Sequence, residues 1–310
     1  MLFNTAQLVA GLLLAGQATA QLNKPLINPP FGDLGPVLQS RLRTPQYTVI
    51  KWPWGLIPLR CRAVADQEDY TPYDIEVYDV TYSDCPTKWV LCRHNQSPTS
   101  PAQFFDRVGR LPVGFRDYLR HFILLPSRGA THAYTYSDLG DAVILGDGHG
   151  ANAQTLYVHE IAHTVDWHHN RASTTQGWLN AFNAASAVSD DYARRNQAEN
   201  FAQETVIAMY DSVVTPNGIT GVNGGWQQIA PMYQYIKSLL GDKIRRIDSR
   251  VCTRNVGIPL WDTTVCMGPA ARDSGNCPGV SARDLDTAEG DNNVTIAGNP
   301  EALVKCKLNH

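Results

Sequence analysis

At 310 residues, with 43% apolar and 18% charged side chains, the chain has material for one large domain or two modest ones around a substantial buried core. Its 26 basic against 29 acidic side chains leave a net charge near −3, which argues against the basic excess of a nucleic-acid binder. The acids are unevenly shared: 22 are Asp and seven are Glu, and three of those seven fall between residues 160 and 204.

The N-terminus reads as an export signal. The run Leu8-Val9-Ala10-Gly11-Leu12-Leu13-Leu14-Ala15-Gly16 is too short to span a bilayer and is followed by Ala18-Thr19-Ala20, a small-x-small cleavage pattern. Residues 1–20 are therefore expected to be removed after Ala20, and no later apolar run is long enough for a membrane span. The expected destination is extracellular. Cysteine usage agrees, because seven Cys without a C-x-x-C pair suit oxidised bridges rather than a thiolate metal site. Cys85 and Cys92 flank Pro86-Thr87-Lys88-Trp89 between strand-like segments, the spacing of a local hairpin staple, and one thiol is left over. Asn95-Gln96-Ser97 and Asn293-Val294-Thr295 are acceptor sequons for N-glycans at Asn95 and Asn293.

Residues 21–60, rich in Pro and Trp, read as an irregular arm over the domain or as a pro-segment. A domain is expected over 61–250. Asp74–Tyr82 alternates like a strand, with Lys88–Cys92 as its hairpin partner. Ser100-Pro101 offers a cap and first-turn proline for a helix carrying Phe104, Phe105 and Val108. His121–Leu125 and Asp141–Leu145 are apolar runs of strand length, and Gly146–Gly150 is a turn cluster leading into a helix. His149 in that cluster reads as a plain loop residue, and Trp167 and Trp178 as core. Residues 251–310, rich in Gly, Asp and Cys, read as a tail held by disulfides.

One motif carries chemistry. His159-Glu160-Ile161-Ala162-His163 is H-E-x-x-H, rare by chance in a chain with nine His and seven Glu. Val158, Ile161, Ala162 and Val165 form an apolar stripe of helical period, so the motif lies on an amphipathic helix. On that helix His159 and His163 are one turn apart and can share one Zn²⁺, while Glu160 is placed to act as base toward water. A third ligand is needed, and two geometries compete. His169 would serve if the helix broke at Asp166, the glycine position of the metzincin pattern. The other candidates are glutamates of a helix over 196–210. Glu199 shares its face with Ala202, Gln203, Val206 and Tyr210, suited to packing, whereas Glu204 shares its face with Gln197, Asn200, Ala208 and Asp211 and reads as solvated. A carboxylate aimed into a packed interface needs a compensating partner, which favours Glu199, with Gln203 one turn on to hydrogen-bond a ligand.

Over about residues 75–215 the chain resembles the anthrax lethal-factor-like zinc metallopeptidases, a gluzincin branch. His159, Glu160, His163, Val165 and Asp166 are similar to that family's active-site helix, and Glu199-Asn200-Phe201-Ala202 to the segment bearing its third zinc ligand. The resemblance implies a zincin-like α+β fold, one Zn²⁺ per chain on His159, His163 and Glu199, and a peptide substrate. It also implies an oxyanion-stabilising role for Tyr192, seven residues before Glu199. Gln203 departs from the pattern, which has a second Glu there. The whole chain also looks like fungal secreted proteins of the conidiation-specific type, which implies no separate chemistry. The expected activity is zinc-dependent peptide hydrolysis, with strand 141–145 binding the substrate backbone at its edge. The alternatives are a non-catalytic secreted zincin-like module and a latent peptidase blocked by residues 21–60 or the free thiol.

Overall fold

The structure, a computed structural model, describes residues 21–247, 252–254, 256–268 and 277. The expected signal segment and Asn293 lie outside them, as does Cys306.

The first elements are helix α1 (Gly35–Arg41) and strand β1 (Tyr47–Lys51). Strand β2 (Leu56–Pro58) and helix α2 (Leu59–Gln67) follow. The alternating run at 74–82 is strand β3 (Ile75–Tyr82), antiparallel to β4 (Trp89–His94). Helix α3 (Pro101–Arg110) begins as expected at Ser100, whose hydroxyl accepts from the Gln103 N–H while the Gln103 side chain accepts from the Ser100 N–H. A single turn, α4 (Val113–Arg116), leads to β5 (His121–Leu125), β6 (His132–Tyr136) and β7 (Asp141–Leu145). Four helices complete the domain: α5 (Ala153–His168), α6 (Gln176–Ala184), α7 (Gln197–Val213) and α8 (Trp226–Leu240). A last short strand, β8 (Thr264–Cys266), pairs with β2.

The result is a mixed α+β architecture on a six-stranded sheet of order β1-β3-β4-β5-β7-β6. β4, β5 and β7 run parallel and the outer pairings are antiparallel. The fully buried central strands carry apolar runs, over residues 89–92, 122–125 and 142–145, as expected of strands covered on both faces. On one face Leu91, Phe122, Leu124 and Ile144 pack under α3, α5 and α7. On the other, Val90, Cys92, Ile123 and Val143 pack under α2 and β8.

This two-sided packing corrects three expectations. The staple between Cys85 and Cys92 is absent: Cys61 bonds Cys92, Cys85 bonds Cys252, and Cys266 bonds Cys277. Cys92, on β4, points to the α2 face, whereas Cys85, in the turn between β3 and β4, belongs to the core on the other side. Residues 21–60 are not uniformly irregular, because β1 forms an edge of the main sheet and β2 opens the smaller ribbon. Strand 141–145 offers no edge, since β7 lies between β5 and β6. The free edge on that side, among the described residues, is β6. No helix of the described residues is long and apolar enough to cross a membrane.

Candidate metal centre

Helix α5 carries the motif. Its Val158, Ile161, Ala162 and Val165 are all buried, so the predicted stripe is the packed face, each larger side chain contributing roughly 1.5–3 kcal/mol. Helix α7 packs across it. Asn196 caps α7 by accepting from the Glu199 N–H at 2.9 Å, which puts Glu199 in the first turn, where a carboxylate also suits the helix dipole. The capped turn delivers Glu199 to the two imidazoles.

Glu199 Oε2 lies 3.0 Å from His159 Nε2 and 3.3 Å from His163 Nε2, and the two Nε2 atoms are 3.2 Å apart. Zinc bonds of about 2.0–2.1 Å in tetrahedral array separate ligand atoms by about 3.3 Å, so this triangle has the dimensions of one face of a zinc tetrahedron. The donor chemistry fits as well. His159 Nδ1 lies 2.8 Å from Gln203 Oε1 and donates its N–H to it, which turns Nε2 toward the centre, where the neutral imidazole offers a lone pair to a metal and the imidazolium an N–H to Glu199. The Gln203 amide is oriented in turn by its N–H donating to Asp190. Among the described residues these three make up the one group of metal-ligating side chains that converges in this way.

The charges are strongly coupled. Burial works against protonation of His159, but the hydrogen bond to Glu199 and the charges of Glu160 and Glu199 outweigh it and raise its pKa. Burial works against ionisation of Glu199 too, yet the two imidazoles pull its pKa down to about 2. Glu160 is 2% exposed, and burial raises its pKa against the opposing pull of His159 and His163. One of its carboxylate oxygens accepts from Thr135 Oγ1 at 2.7 Å. Thr135 belongs to β6, so the free edge strand touches the candidate base directly.

Tyr192 stands against His159 with ring centroids 5.3 Å apart, and the Arg195 guanidinium lies over the Tyr192 ring at 4.1 Å. It does not share a helix with Glu199, because α7 starts only at Gln197. Burial and the Glu199 charge raise its pKa, keeping the phenol protonated.

The His169 alternative fails. α5 runs unbroken to His168, which places His169 about 15 Å along the axis from His159 and on another side. His169 Nε2 instead lies 2.9 Å from the Tyr118 hydroxyl. Asp166 does not break the helix either. It is buried and accepts from the N–H and hydroxyl of Ser173 at 2.6 and 2.7 Å. Glu204, which reads as solvated, is fully buried, and its carboxylate makes no well-formed hydrogen bond among the described residues. Trp178 is core as expected, whereas Trp167 is 40% exposed. His149 is held by Asp147 in the loop before α5. Sequence reasoning missed Thr135 and Asp190. The β-prone run Tyr134-Thr135-Tyr136 could have suggested the strand of the first, but nothing local marks the second.

The chain is thus a disulfide-tied α+β protein with a His–His–Glu cluster at a helix junction. By sequence it belongs to the Con-13 family, conidiation-specific protein Con-13, whose family model matches residues 33–307. It is 33% identical over 280 residues to conidiation-specific protein 13 of Neurospora crassa, covering 86% of this chain and 78% of that protein. No solved structure matches. Family model and relative both lie with the conidiation-specific proteins, which overturns the resemblance to the lethal-factor-like peptidases.

Proposed function

We propose that this protein is an exported zinc-dependent peptidase of zincin-like build, hydrolysing peptide bonds with Glu160 as general base. The observation that carries the reading is the convergence of His159, His163 and Glu199 at 3.0–3.3 Å, with the base next in sequence to the first ligand. It does not depend on the discarded family resemblance. The three disulfides among the described residues are compatible with export.

Zinc held by these three side chains would supply Lewis acidity, polarising a carbonyl and acidifying water. Glu160 takes the proton of the attacking water and hands it to the leaving amine. Its raised pKa brings the carboxylate closer to neutrality, where accepting and returning a proton are both favourable. Thr135 holds that carboxylate from the side. Tyr192, kept protonated beside His159, donates to the developing oxyanion. An extended peptide adds to the β6 edge, which places its backbone over Thr135 and Glu160.

The test is zinc per chain, by elemental analysis, of secreted wild type and of Glu199→Gln prepared without added metal. One zinc in wild type and a large loss in the variant are expected. Full zinc in both would remove Glu199 from the site. No zinc in either would leave the protein a non-catalytic module.

A further inference from the structure

Where β1 ends beside β3, at the edge of the sheet, lies a groove that the metal centre does not use. A groove of about 320 Å³ is lined by Trp54, Tyr73, Asp74, Glu76, Lys51 and Asn95, with Ile75, Val77 and Met267 at its base. Two large aromatic rings stand in solvent there: Trp54 is 59% and Tyr73 43% exposed. Neither is loose. Their rings stack with centroids 5.5 Å apart at 22°, and the Trp54 indole N–H donates to the Tyr73 carbonyl at 3.2 Å. The rim is polar and ordered, with Glu76 accepting from Lys51 at 2.8 Å and Arg93 at 2.7 Å. A rigid, exposed aromatic surface beside fixed carboxylate and amide groups is the chemistry of saccharide recognition. The electron-rich ring faces attract polarised sugar C–H groups, and the rim meets hydroxyls.

Asn95 supplies the occupant. It is exposed at the end of β4, heads the sequon Asn95-Gln96-Ser97, lines the groove, and its side-chain N–H donates to Asp74 Oδ1 at 3.0 Å. We propose that Asn95 carries an N-linked glycan whose first sugars seat in this groove on Trp54 and Tyr73. In the attachment step Asn95 Nδ2 forms a bond to the anomeric carbon of a lipid-pyrophosphate-linked oligosaccharide. The bond from that carbon to the pyrophosphate oxygen breaks, the lipid pyrophosphate leaves with the electron pair, and the amide loses one proton. One N–H remains on Asn95 to keep its bond to Asp74, which holds the linkage at the rim. The volume is at the small end of ligand pockets and suits a short saccharide rather than an extended chain. The inference rests on export of the chain and is independent of the zinc reading.

The experiment uses the full chain secreted from a eukaryotic host grown with isotope-labelled N-acetylglucosamine. Mass spectrometry of the Asn95 glycopeptide reads occupancy, and the N-acetyl methyl and ring resonances read the seat. Ser97→Ala, which removes the sequon, assigns the Asn95 signals; the Ser97 hydroxyl has no hydrogen-bond partner among the described residues, so the fold should tolerate the change. Trp54→Ala removes the platform and leaves the sequon. We expect an occupied Asn95, resonances shifted upfield by the indole ring current, and loss of that shift in Trp54→Ala at unchanged occupancy. An unoccupied Asn95, or identical sugar resonances in wild type and Trp54→Ala, would overturn the proposal.

Discussion

The first two turns of α7 hold two glutamates, five residues apart, in opposite environments. Glu199, in the capped first turn, meets two imidazoles, and its pKa falls to about 2 despite partial burial. Glu204, about one and a half turns on and fully buried, has its pKa driven well above the ordinary carboxylate value by burial and by the like charge of Asp190. The same side chain on the same helix is pushed toward the anion at one position and toward the neutral acid at the other. What differs is the partner. A carboxylate tolerates burial as an anion only where cationic or metal partners repay its lost hydration.

The largest effect expected comes not from either glutamate of α7 but from Glu160, the proposed base, which feels the charge of Glu199. Glu160→Gln should lower hydrolysis by about 10²–10⁴-fold with zinc content unchanged; turnover at the wild-type rate would strip Glu160 of its role. Tyr192→Phe should reduce kcat by about 10²-fold with KM little altered, as expected for a group acting in the transition state. Equal kcat in variant and wild type would refute the oxyanion assignment. Gln203→Ala removes the acceptor that fixes the His159 tautomer, and zinc affinity should weaken by about 10–100-fold in a competitive chelator titration. Unchanged affinity would show that the imidazole needs no such orientation.

The smallest effect sharpens the comparison directly. Because the folded pKa of Glu204 is raised, the folded state binds a proton that the unfolded chain releases above its ordinary carboxylate pKa. Its stabilising contribution is therefore complete below that unfolded pKa. It declines as pH rises toward the folded pKa, at no more than about 1.4 kcal/mol per pH unit. Glu204→Gln should flatten this dependence, so that wild type loses stability between pH 5 and pH 8 relative to the variant in urea denaturation. Parallel profiles would mean that Glu204 is not held neutral.

Much of the frame was legible because it follows from local periodicity. The alternation at 74–82, the cap at Ser100 and the apolar stripe of α5 each depend on residues a few positions apart, and each element forms where its pattern says. β6 was missed because it is short and half-exposed, with little apolar contrast. Glu204 was misjudged because its neighbours on the helix are polar, while its burial comes from segments distant in sequence. The Cys85–Cys92 pairing fails for a related reason: closeness in sequence favours it, but Cys85 sits in the β3–β4 turn against one core while Cys92, on β4, points into the other.

The sequence by itself determined the helix that bears His159, Glu160 and His163, because the one-turn spacing of the two histidines is a property of the α-helix alone. It also narrowed the candidates for a third side chain beside them to a few residues. Which of these meets the two imidazoles was decided only by the tertiary structure. The unbroken course of α5 carries His169 away to Tyr118, and the Asn196 cap and the packing of α7 across α5 bring Glu199, not Glu204, within 3.3 Å of both imidazoles. A converging site needs two helices held at one distance and angle, and that relation is set by the shared core rather than by either segment.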